Sequence, residues 1–256
     1  MPTAEGFAFY GETERAIAAL AEIEANARNI RDQEQAPLRI LAQSHIAHGL
    51  LSVALSGFCK KHPGFRFSIE IRQREYISQW VANRQFDIGF APQPIDHPQI
   101  ETELLVKAPV YVVLPRKHPL AAKRRLGVAD IADEPLVAVR FGIPMRTRLD
   151  AVYATHGVNP VIQGETASMV SACQLVAGGL GMTLADPFSA ALFTKYPAVA
   201  IRLFRPQLLV DYLILWRDGE ERSRLTEEFA AHVQVTANAL VRKVSQYADS
   251  AALEVA

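Results

Sequence analysis

The stretch QLVAGGLGMTLADP, residues 174–187, places a glycine-rich joint between two apolar runs. A phosphate loop of the Walker type needs a lysine and a hydroxyl residue directly after its last glycine, but Met182 and Thr183 follow Gly181. A dinucleotide fingerprint runs from strand through glycines to helix, whereas the apolar periodicity here predicts helix, glycines and then strand. The glycines are therefore predicted to end a helix in a left-handed cap and to begin a strand.

Strands and helices alternate on both sides of this joint. Apolar residues at every second position predict strands, and apolar residues three and four apart predict helices. The predicted strands cover residues 38–42, 65–71, 86–90, 100–106, 110–114, 136–140, 161–165, 181–184, 198–204 and 210–216, and the predicted helices cover residues 48–61, 76–84, 145–156, 168–177, 187–193 and 223–247. Such alternation predicts mostly parallel sheets covered by helices, and two such sets predict two α/β lobes.

Residues 11–33 have a different pattern. Apolar side chains recur at spacings of four and three along an otherwise polar segment, at Ala16, Leu20, Ile23, Ala27 and Ile30. A seam this narrow buries little against a globular core, but it can pair with a second helix. It predicts a linker or dimerisation helix ahead of the globular part, ended by Pro37.

Composition narrows the function classes. Lys and Arg together number 27, as do Asp and Glu, so the chain has no strong electrostatic footprint for nucleic acid. No apolar run is long enough to span a bilayer, and the first residues lack the features of a signal peptide, which predicts a cytoplasmic protein. Cys59 and Cys173 lie in apolar helical patterns and are predicted to be buried free thiols.

No catalytic or metal-binding motif of a recognised kind occurs in the sequence. There is no G-x-S-x-G, H-E-x-x-H or C-x-x-C, and His45 and His48 lack a third ligand at a zinc spacing. The chain is therefore predicted not to be an enzyme and to use neither a metal nor another cofactor.

Several segments, in this order, resemble the effector-binding part of a LysR-type transcriptional regulator. They are TAEG at 3–6 before the long polar helix, NRQFDIGF at 83–90, LPRKHPLA at 114–121, ADIADEPL at 129–136 and LVAGGLGM at 175–182. Each motif is weak alone, but their order and spacing together are specific. The winged helix-turn-helix that the family carries ahead of this region is absent from the sequence, so DNA is expected to be contacted only through a domain outside this chain.

The resemblance implies an α/β fold, namely the two-lobed fold of type 2 periplasmic binding proteins, preceded by a long helix. The implied division is a linker or dimerisation helix in residues 1–36, lobe I in 37–108 plus 210–235, lobe II in 109–209, and a C-terminal helix and tail in 236–256. The chain would cross between the lobes near residues 107–110 and 204–209, and two crossing strands make a hinge.

The binding site of such a fold is expected in the cleft at the carboxyl ends of the strands. The residues expected to bind an effector there are Ser44, His45, Arg74, Pro92, Arg146, Thr166 and Ser168. Ser44 could instead be only a helix N-cap, and His45 and Arg74 could be surface residues. Arg146 at a helix start is unfavourable for the helix dipole, which hints at an anionic partner. The resemblance implies an effector contact through Thr166 or Ser168.

These residue types favour a small carboxylate or amino-acid-like effector, with Glu75 or Glu165 available to hold an amino group. The predicted function is that of a small-molecule-sensing regulatory domain. Effector binding in the cleft would alter the geometry of a head-to-tail homodimer or homotetramer, and hence transcription. The alternative is a stand-alone solute-binding protein of the same fold, which would need export.

Overall fold

The computed structural model describes residues 36–250 together with Phe9 and Thr13. The heptad helix predicted over residues 11–33 lies, Thr13 apart, outside the described residues, as does the segment 251–256. The strands, in chain order, are β1 (Leu38–Ala42), β2 (Phe67–Ile71), β3 (Ile88–Pro92), β4 (Ile100–Pro109), β5 (Tyr111–Pro115), β6 (Arg125–Gly127), β7 (Pro135–Val139), β8 (Val161–Thr166), β9 (Thr183–Ala185), β10 (Val199–Arg205) and β11 (Leu209–Arg217).

The helices alternate with these strands much as the periodicity predicts. They are α1, which comprises Ser44–Ile46, a π-helical turn at Ala47–Leu51 and Ser52–Lys61, then α2 (Arg74–Ala82), α3 (Pro144–Thr155), α4 (Met169–Ala177), α5 (Pro187–Phe193) and α6 (Arg224–Ser250). A 3₁₀ turn covers Pro119–Ala122. None of the helices within residues 36–250 combines the length and apolarity that crossing a bilayer requires.

Lobe I is built on a five-stranded sheet in the order β2-β1-β3-β11-β4. β1 runs parallel to β2 and β3, whereas β11, which returns from the other lobe, runs antiparallel to β3 and β4. β1 and β3 lie inside the sheet and are almost wholly buried, which explains their nearly continuous apolar sequences. The strand predicted at residues 86–90 begins two residues later, at Ile88, and Asp87 ahead of it pairs with Arg39 instead.

Lobe II contains a four-stranded sheet in the order β6-β10-β5-β9 and a two-stranded parallel sheet of β7 and β8. A bridge between Leu136 and Met182 connects them. The expectation of a mostly parallel sheet is wrong for β5, which runs antiparallel to both β9 and β10. The sequence does not predict β6 because three residues are too few to display a strand period.

The glycine joint has the predicted geometry. α4 ends at Ala177, and the Leu180 N–H donates to the Leu175 carbonyl at 3.0 Å, which closes the helix end. Gly179 and Gly181 have φ angles of 94° and 59°, the left-handed region that favours glycine. A Cβ on Gly181 would also lie 2.2 Å from the Pro135 carbonyl oxygen. Both the positive φ angle and this close approach therefore require glycine at position 181.

The last helix, α6, packs against both lobes. Phe229 and Val233 near its start belong to the core that includes the lobe I sheet, while Val244 and Ala248 near its end belong to the second core with Tyr111. The predicted boundary between residues 235 and 236 falls inside this continuous helix.

A second contact between the lobes involves α5 of lobe II and the π-helical turn of α1 in lobe I. Gly49 in that turn approaches α5 so closely that a Cβ there would lie 2.2 Å from the Phe188 carbonyl oxygen. Phe188 is fully buried, and its ring packs edge-on against Tyr212 with 4.9 Å between centroids. The lobes are therefore in direct contact next to the cleft that separates their strand ends.

Candidate functional site

A cleft of about 550 Å³ lies between the two lobes. On the lobe I side it is bordered by the segments that follow β1, β2 and β3, and on the lobe II side by the segments that follow β7 and β8. Val210 and Tyr212 of the returning strand β11 also line it. The cleft thus lies at the carboxyl ends of the strands, where ligands of open α/β sheets bind.

Helix N-termini converge on this cleft. The N-cap residues of α1 to α5 all line it: Gln43, Gln73, Ile143, Ser168 and Asp186. Of these, Ser168 and Asp186 accept hydrogen bonds from their own helix, whereas the other three make no side-chain cap. First-turn N–H groups and the positive ends of helix dipoles favour anions, so the backbone alone makes the cleft suited to a negatively charged ligand.

Arginines from both lobes increase this preference. Arg72 and Arg74 line the lobe I wall, and Arg140 and Arg148 line the lobe II wall. Arg72 pairs with Glu70. Within the described part of the chain, the other three have no carboxylate within ion-pair distance. Arg74 donates instead to the Pro94 carbonyl, and Arg148 donates to the Leu209 carbonyl at 2.5 Å. Backbone carbonyls position these guanidinium groups without neutralising them.

Asp186 is an acidic residue of the cleft lining, and its carboxylate has a structural role. It is buried, its Oδ1 accepts from the N–H groups of Phe188 at 2.9 Å and Ser189 at 3.0 Å, and its Oδ2 accepts from the Ser189 hydroxyl at 2.5 Å. These bonds cap α5, the helix that packs against lobe I. The carboxylate therefore lowers the net positive charge of the cleft but has little remaining capacity to bind a ligand.

His45 lies near this carboxylate and packs edge-on against Tyr212, with 6.0 Å between ring centroids. Burial lowers the pKa of His45, and the Asp186 carboxylate offsets part of that decrease. Burial, reinforced by Asp186, raises the pKa of Tyr212 well above its usual value. His45 is thus a neutral imidazole at pH 7, able to donate one hydrogen bond and accept another.

Two buried polar atoms of the cleft lining have no hydrogen-bond partner among the described residues. They are Oε1 of Gln43 and Nε of Arg74. Buried polar atoms in native proteins are normally paired with protein or water. One is an acceptor beside the start of α1 and the other a cationic donor at the start of α2, which suits a ligand with polar groups directed at lobe I.

The cleft brings together five of the seven residues predicted from the sequence: Ser44, His45, Arg74, Pro92 and Ser168. Ser44 is the first helical residue of α1 rather than its N-cap, which is Gln43. The helix begins four residues earlier than predicted because residues 44–47 precede the apolar periodic run. Ser168 is the N-cap of α4 and accepts from the Ser171 N–H at 3.3 Å.

Arg146 and Thr166 lie outside the cleft lining. The anionic partners that Arg146 was expected to need belong to the chain itself, since its Nε lies 2.8 Å from Asp150 Oδ1 and its Nη1 lies 2.6 Å from Glu165 Oε1. The Thr166 hydroxyl accepts from the Ser168 N–H at 3.2 Å. Glu165 is therefore engaged with Arg146, and the side chain of Glu75 lies outside the described ones.

Sequence reasoning missed several lining residues, notably Gln43, Arg72, Arg140, Arg148, Asp186 and Tyr212. Arg140 directly follows β7, so its place at a strand's carboxyl end could have identified it. Asp186 has the signature of an N-cap followed by proline. Arg148 and Tyr212 carry no such signal, because one is a mid-helix arginine and the other belongs to a buried strand.

No group of three or more His, Cys, Asp or Glu side chains within residues 36–250 is arranged to hold a metal ion. Cys173 is buried, which raises the pKa of its thiol, and Cys59 is half-buried, so the predicted burial of both thiols is complete only for Cys173. The cleft thus combines arginines, helix N-termini and neutral hydrogen-bonding groups with the capping carboxylate of Asp186, and the first three can all bind an anionic molecule.

Comparisons with known proteins agree with this arrangement. The LysR substrate binding domain matches residues 31–237. The chain is 25% identical over 252 residues to the transcriptional activator protein LysR of Escherichia coli strain K12, covering 98% of this chain and 80% of that protein. The full-length regulator CbnR in complex with its target DNA has a similar fold, with a TM-score of 0.74 and 18% identity over 92% of this chain and 82% of that one.

The regulatory domain of CcmR from Synechocystis PCC6803, solved in complex with 2-PG, also has this fold, with a TM-score of 0.67 and 21% identity over 80% of this chain and 99% of that one. The Escherichia coli protein is a transcriptional activator, and CbnR was solved in complex with its target DNA. With the two-lobed fold and the interlobe cleft, the family match identifies the chain: it belongs to the LysR family of transcriptional regulators and contains their effector-binding domain.

Proposed function

We propose that the interlobe cleft binds a small carboxylate or amino-acid-like effector, and that binding alters the geometry of a homodimer or homotetramer and thereby transcription. The observation that carries the proposal is that Arg74, Arg140 and Arg148 line the cleft without a carboxylate partner among the described residues, beside helix N-termini that no side chain caps. Both features favour an anion. Ser44, His45, Pro92 and Ser168 supply hydroxyl, imidazole and apolar contacts around it.

Two relatives support the functional context. CcmR's regulatory domain has been solved with a small molecule, 2-PG, and CbnR has been solved as a full-length protein on its target DNA. By analogy, DNA contact would belong to a winged helix-turn-helix ahead of the helix predicted at residues 11–33, and the protein would act in the cytoplasm. A transport role as a stand-alone solute-binding protein would use the same cleft, and it remains the alternative.

The physical route from effector to oligomer would run through the contacts between the lobes. An effector acts as a switch when it binds one arrangement of the lobes more tightly than another. Here Asp186, the N-cap of α5, lies in the cleft, and Phe188 of α5 packs against the π-helical turn of α1, while α6 touches both cores. A change in lobe spacing would therefore move α1, α5 and α6 relative to one another, and with them the outer surface of the domain.

A ligand screen tests the proposal. Carboxylates and amino acids would be ranked by thermal shift and then by calorimetry, and light scattering and small-angle scattering would follow the oligomer with and without the best ligand. Arg74→Gln should weaken binding at least about tenfold because it removes a charge-assisted hydrogen bond worth about 1.5–3 kcal/mol. Arg224→Gln is the matched control, since Arg224 is 92% exposed on α6 and pairs with Glu228.

The proposal fails if cations alone bind, or if every ligand binds Arg74→Gln and the parent protein equally. If a ligand binds but the scattering does not change, the cleft is a binding site and the proposed change in oligomer geometry is wrong. That result would favour the transport alternative.

A further inference from the structure

We infer that the effector carries two separated anionic groups and bridges the lobes, one group against the lobe I wall at Arg74 and the other against the lobe II wall at Arg140 and Arg148. This inference rests on the proposed function and narrows the class of ligand. It follows from the way cationic charge is divided between the walls of the cleft.

The lobe I wall has one arginine that is already satisfied and one that is not. The guanidinium of Arg72 pairs with Glu70, donates to the Ile71 carbonyl at 3.1 Å and lies 4.9 Å from the centre of the Trp80 ring. Among the side chains that the structure describes, Arg74 has a bond to the Pro94 carbonyl and a buried Nε without a partner. Arg74 is also the first residue of α2, where the helix dipole disfavours a cation. An anion at this point would satisfy the guanidinium and the helix end together.

The lobe II wall has the same character but is built from different elements. Arg140 directly follows β7, and Arg148 lies one turn into α3, whose N-cap Ile143 offers no side-chain oxygen. Arg148 is held to the Leu209 carbonyl, at the segment where the chain returns to lobe I. Among the described residues, no carboxylate pairs with either arginine. Arg140 and Arg148 are both exposed at the cleft, so a second anion on this side would meet two accessible cations.

The charges within the cleft favour two anionic groups over one. Arg74, Arg140 and Arg148 contribute three cations that lack carboxylate partners within the described part of the chain, and Asp186 is engaged in capping α5. One carboxylate would neutralise the cationic charge of a single wall and leave the arginine charge of the other wall without a counter-charge. Met145, Met169 and Val210 also line the cleft, so the part of the ligand between its charged ends would meet apolar side chains. A short dianion fits this pattern, either a dicarboxylate or a carboxylate joined to a phosphate or phosphonate.

The test compares dianions with monoanions of the same length at constant ionic strength. Succinate, glutarate and adipate would be measured against butanoate, pentanoate and hexanoate, and phosphonoacetate against propanoate, by thermal shift and calorimetry. At least one dianion should raise the Tm and bind at least about tenfold more tightly than its matched monoanion. The dicarboxylate and phosphonate arms distinguish the two sources of the second charge.

The arginine variants locate the two ends of the ligand. Arg74→Gln and Arg148→Gln should each weaken the dianion at least about tenfold and bring its affinity close to that of the monoanion. Arg140→Gln provides a second lobe II variant should Arg148→Gln fail to fold, and Arg224→Gln should bind like the parent protein. A Tm measured without ligand shows which variants are folded.

Each other outcome overturns the inference in a recognisable way. If a monocarboxylate or amino acid binds as tightly as every dianion, and Arg74→Gln weakens it, the cleft is an effector site but the two-anion inference is wrong. If dianions bind and only Arg74→Gln matters, the bridge to lobe II is wrong. If no anion shows a response that depends on Arg74, the proposed function fails with it.

Discussion

Two cavities of similar size lie at opposite ends of the same five-stranded sheet. The interlobe cleft, of about 550 Å³, borders the carboxyl ends of β1, β2 and β3. A second cavity of about 600 Å³, called the basal cavity here, borders the amino ends of these strands and is lined by residues that include Arg39, Arg84, Asp87, Trp216, Arg217, Glu220 and Arg222. Both cavities are rich in arginine, and they differ in what the arginines contact.

In the basal cavity the arginines meet carboxylates. Arg39 pairs with Asp87 at 2.7 Å, and Arg222 pairs with Glu101 and Glu103 at 2.5 Å each. Arg222 also lies 4.4 Å from the centre of the Trp216 ring. In the cleft, Arg72 alone of the four lining arginines has such a pair within the described residues. Arginines neutralised by the chain itself indicate a structural role, whereas arginines left without a carboxylate indicate a place for an external anion.

The largest effect is expected at Asp186, where the cleft's acid supports the fold. Asp186→Ala should lower the free energy of unfolding by about 2 kcal/mol, because two N–H groups of α5 lose their cap. Urea denaturation measures this change. Asp186→Asn keeps an oxygen acceptor and should cost less. An unchanged urea midpoint in Asp186→Ala would show that the carboxylate is not structural and is free to serve a ligand.

A pair of arginine variants, one in each cavity, sharpens the comparison by the size of the stability change. Arg222→Gln, in the basal cavity, should cost about 1 kcal/mol because Glu101 and Glu103 lose their partner and Trp216 loses its cation–π contact. Arg148→Gln, in the cleft, should cost less than this, since the exposed Arg148 loses one hydrogen bond to the Leu209 carbonyl and has no carboxylate partner among the described residues. Urea denaturation at low and high salt measures the free energy of unfolding of both variants. Equal losses in the two variants would erase the distinction between the cavities.

Much of the fold can be predicted from the sequence, and less of the site. β1 and α5 have the predicted bounds because apolar periodicity reports burial directly. The residues at strand ends, such as Ser44 and Arg74, follow from the same periodicity combined with topology. Arg146 of α3 is misplaced because its partner Glu165 lies 19 residues away on β8, and a single sequence does not show whether a charge is already neutralised.

A single sequence also does not show which residues line the lobe II side of the cleft. Leu149 and Tyr153 pack into the core and thereby orient α3, and this orientation places Arg148 at the cleft. Because tertiary packing sets the orientation, a local sequence pattern does not show which way Arg148 faces. The contact of Gly49 with Phe188 is equally invisible to local patterns, since it joins residues of different lobes.

The smallest effect concerns the charge of His45, and its direction is set by burial. The lowered pKa of His45 means that, as pH falls through about 6.5, the unfolded chain gains a proton there before the folded chain does. This contribution to stability is therefore fully present above that pH and is lost as pH decreases toward the folded-state pKa. His45→Gln should flatten the pH dependence of the urea midpoint between pH 7 and 5, whereas Ser44→Ala, the matched neighbour, should retain it.

An anion bound in the interlobe cleft would change the pH dependence that His45 causes, whereas an anion bound in the basal cavity, at the other end of the sheet, would not. A nearby negative charge raises the pKa of His45, so glutarate, if bound, should bind more tightly at pH 6.5 than at pH 7.5 once the small protonated fraction of the free ligand at each pH is subtracted. Calorimetry at the two pH values measures the difference, and His45→Gln should reduce it. If the pH dependence of binding is the same in His45→Gln and the parent protein, the bound anion lies outside the electrostatic reach of His45, and the site must be sought elsewhere than at the start of α1.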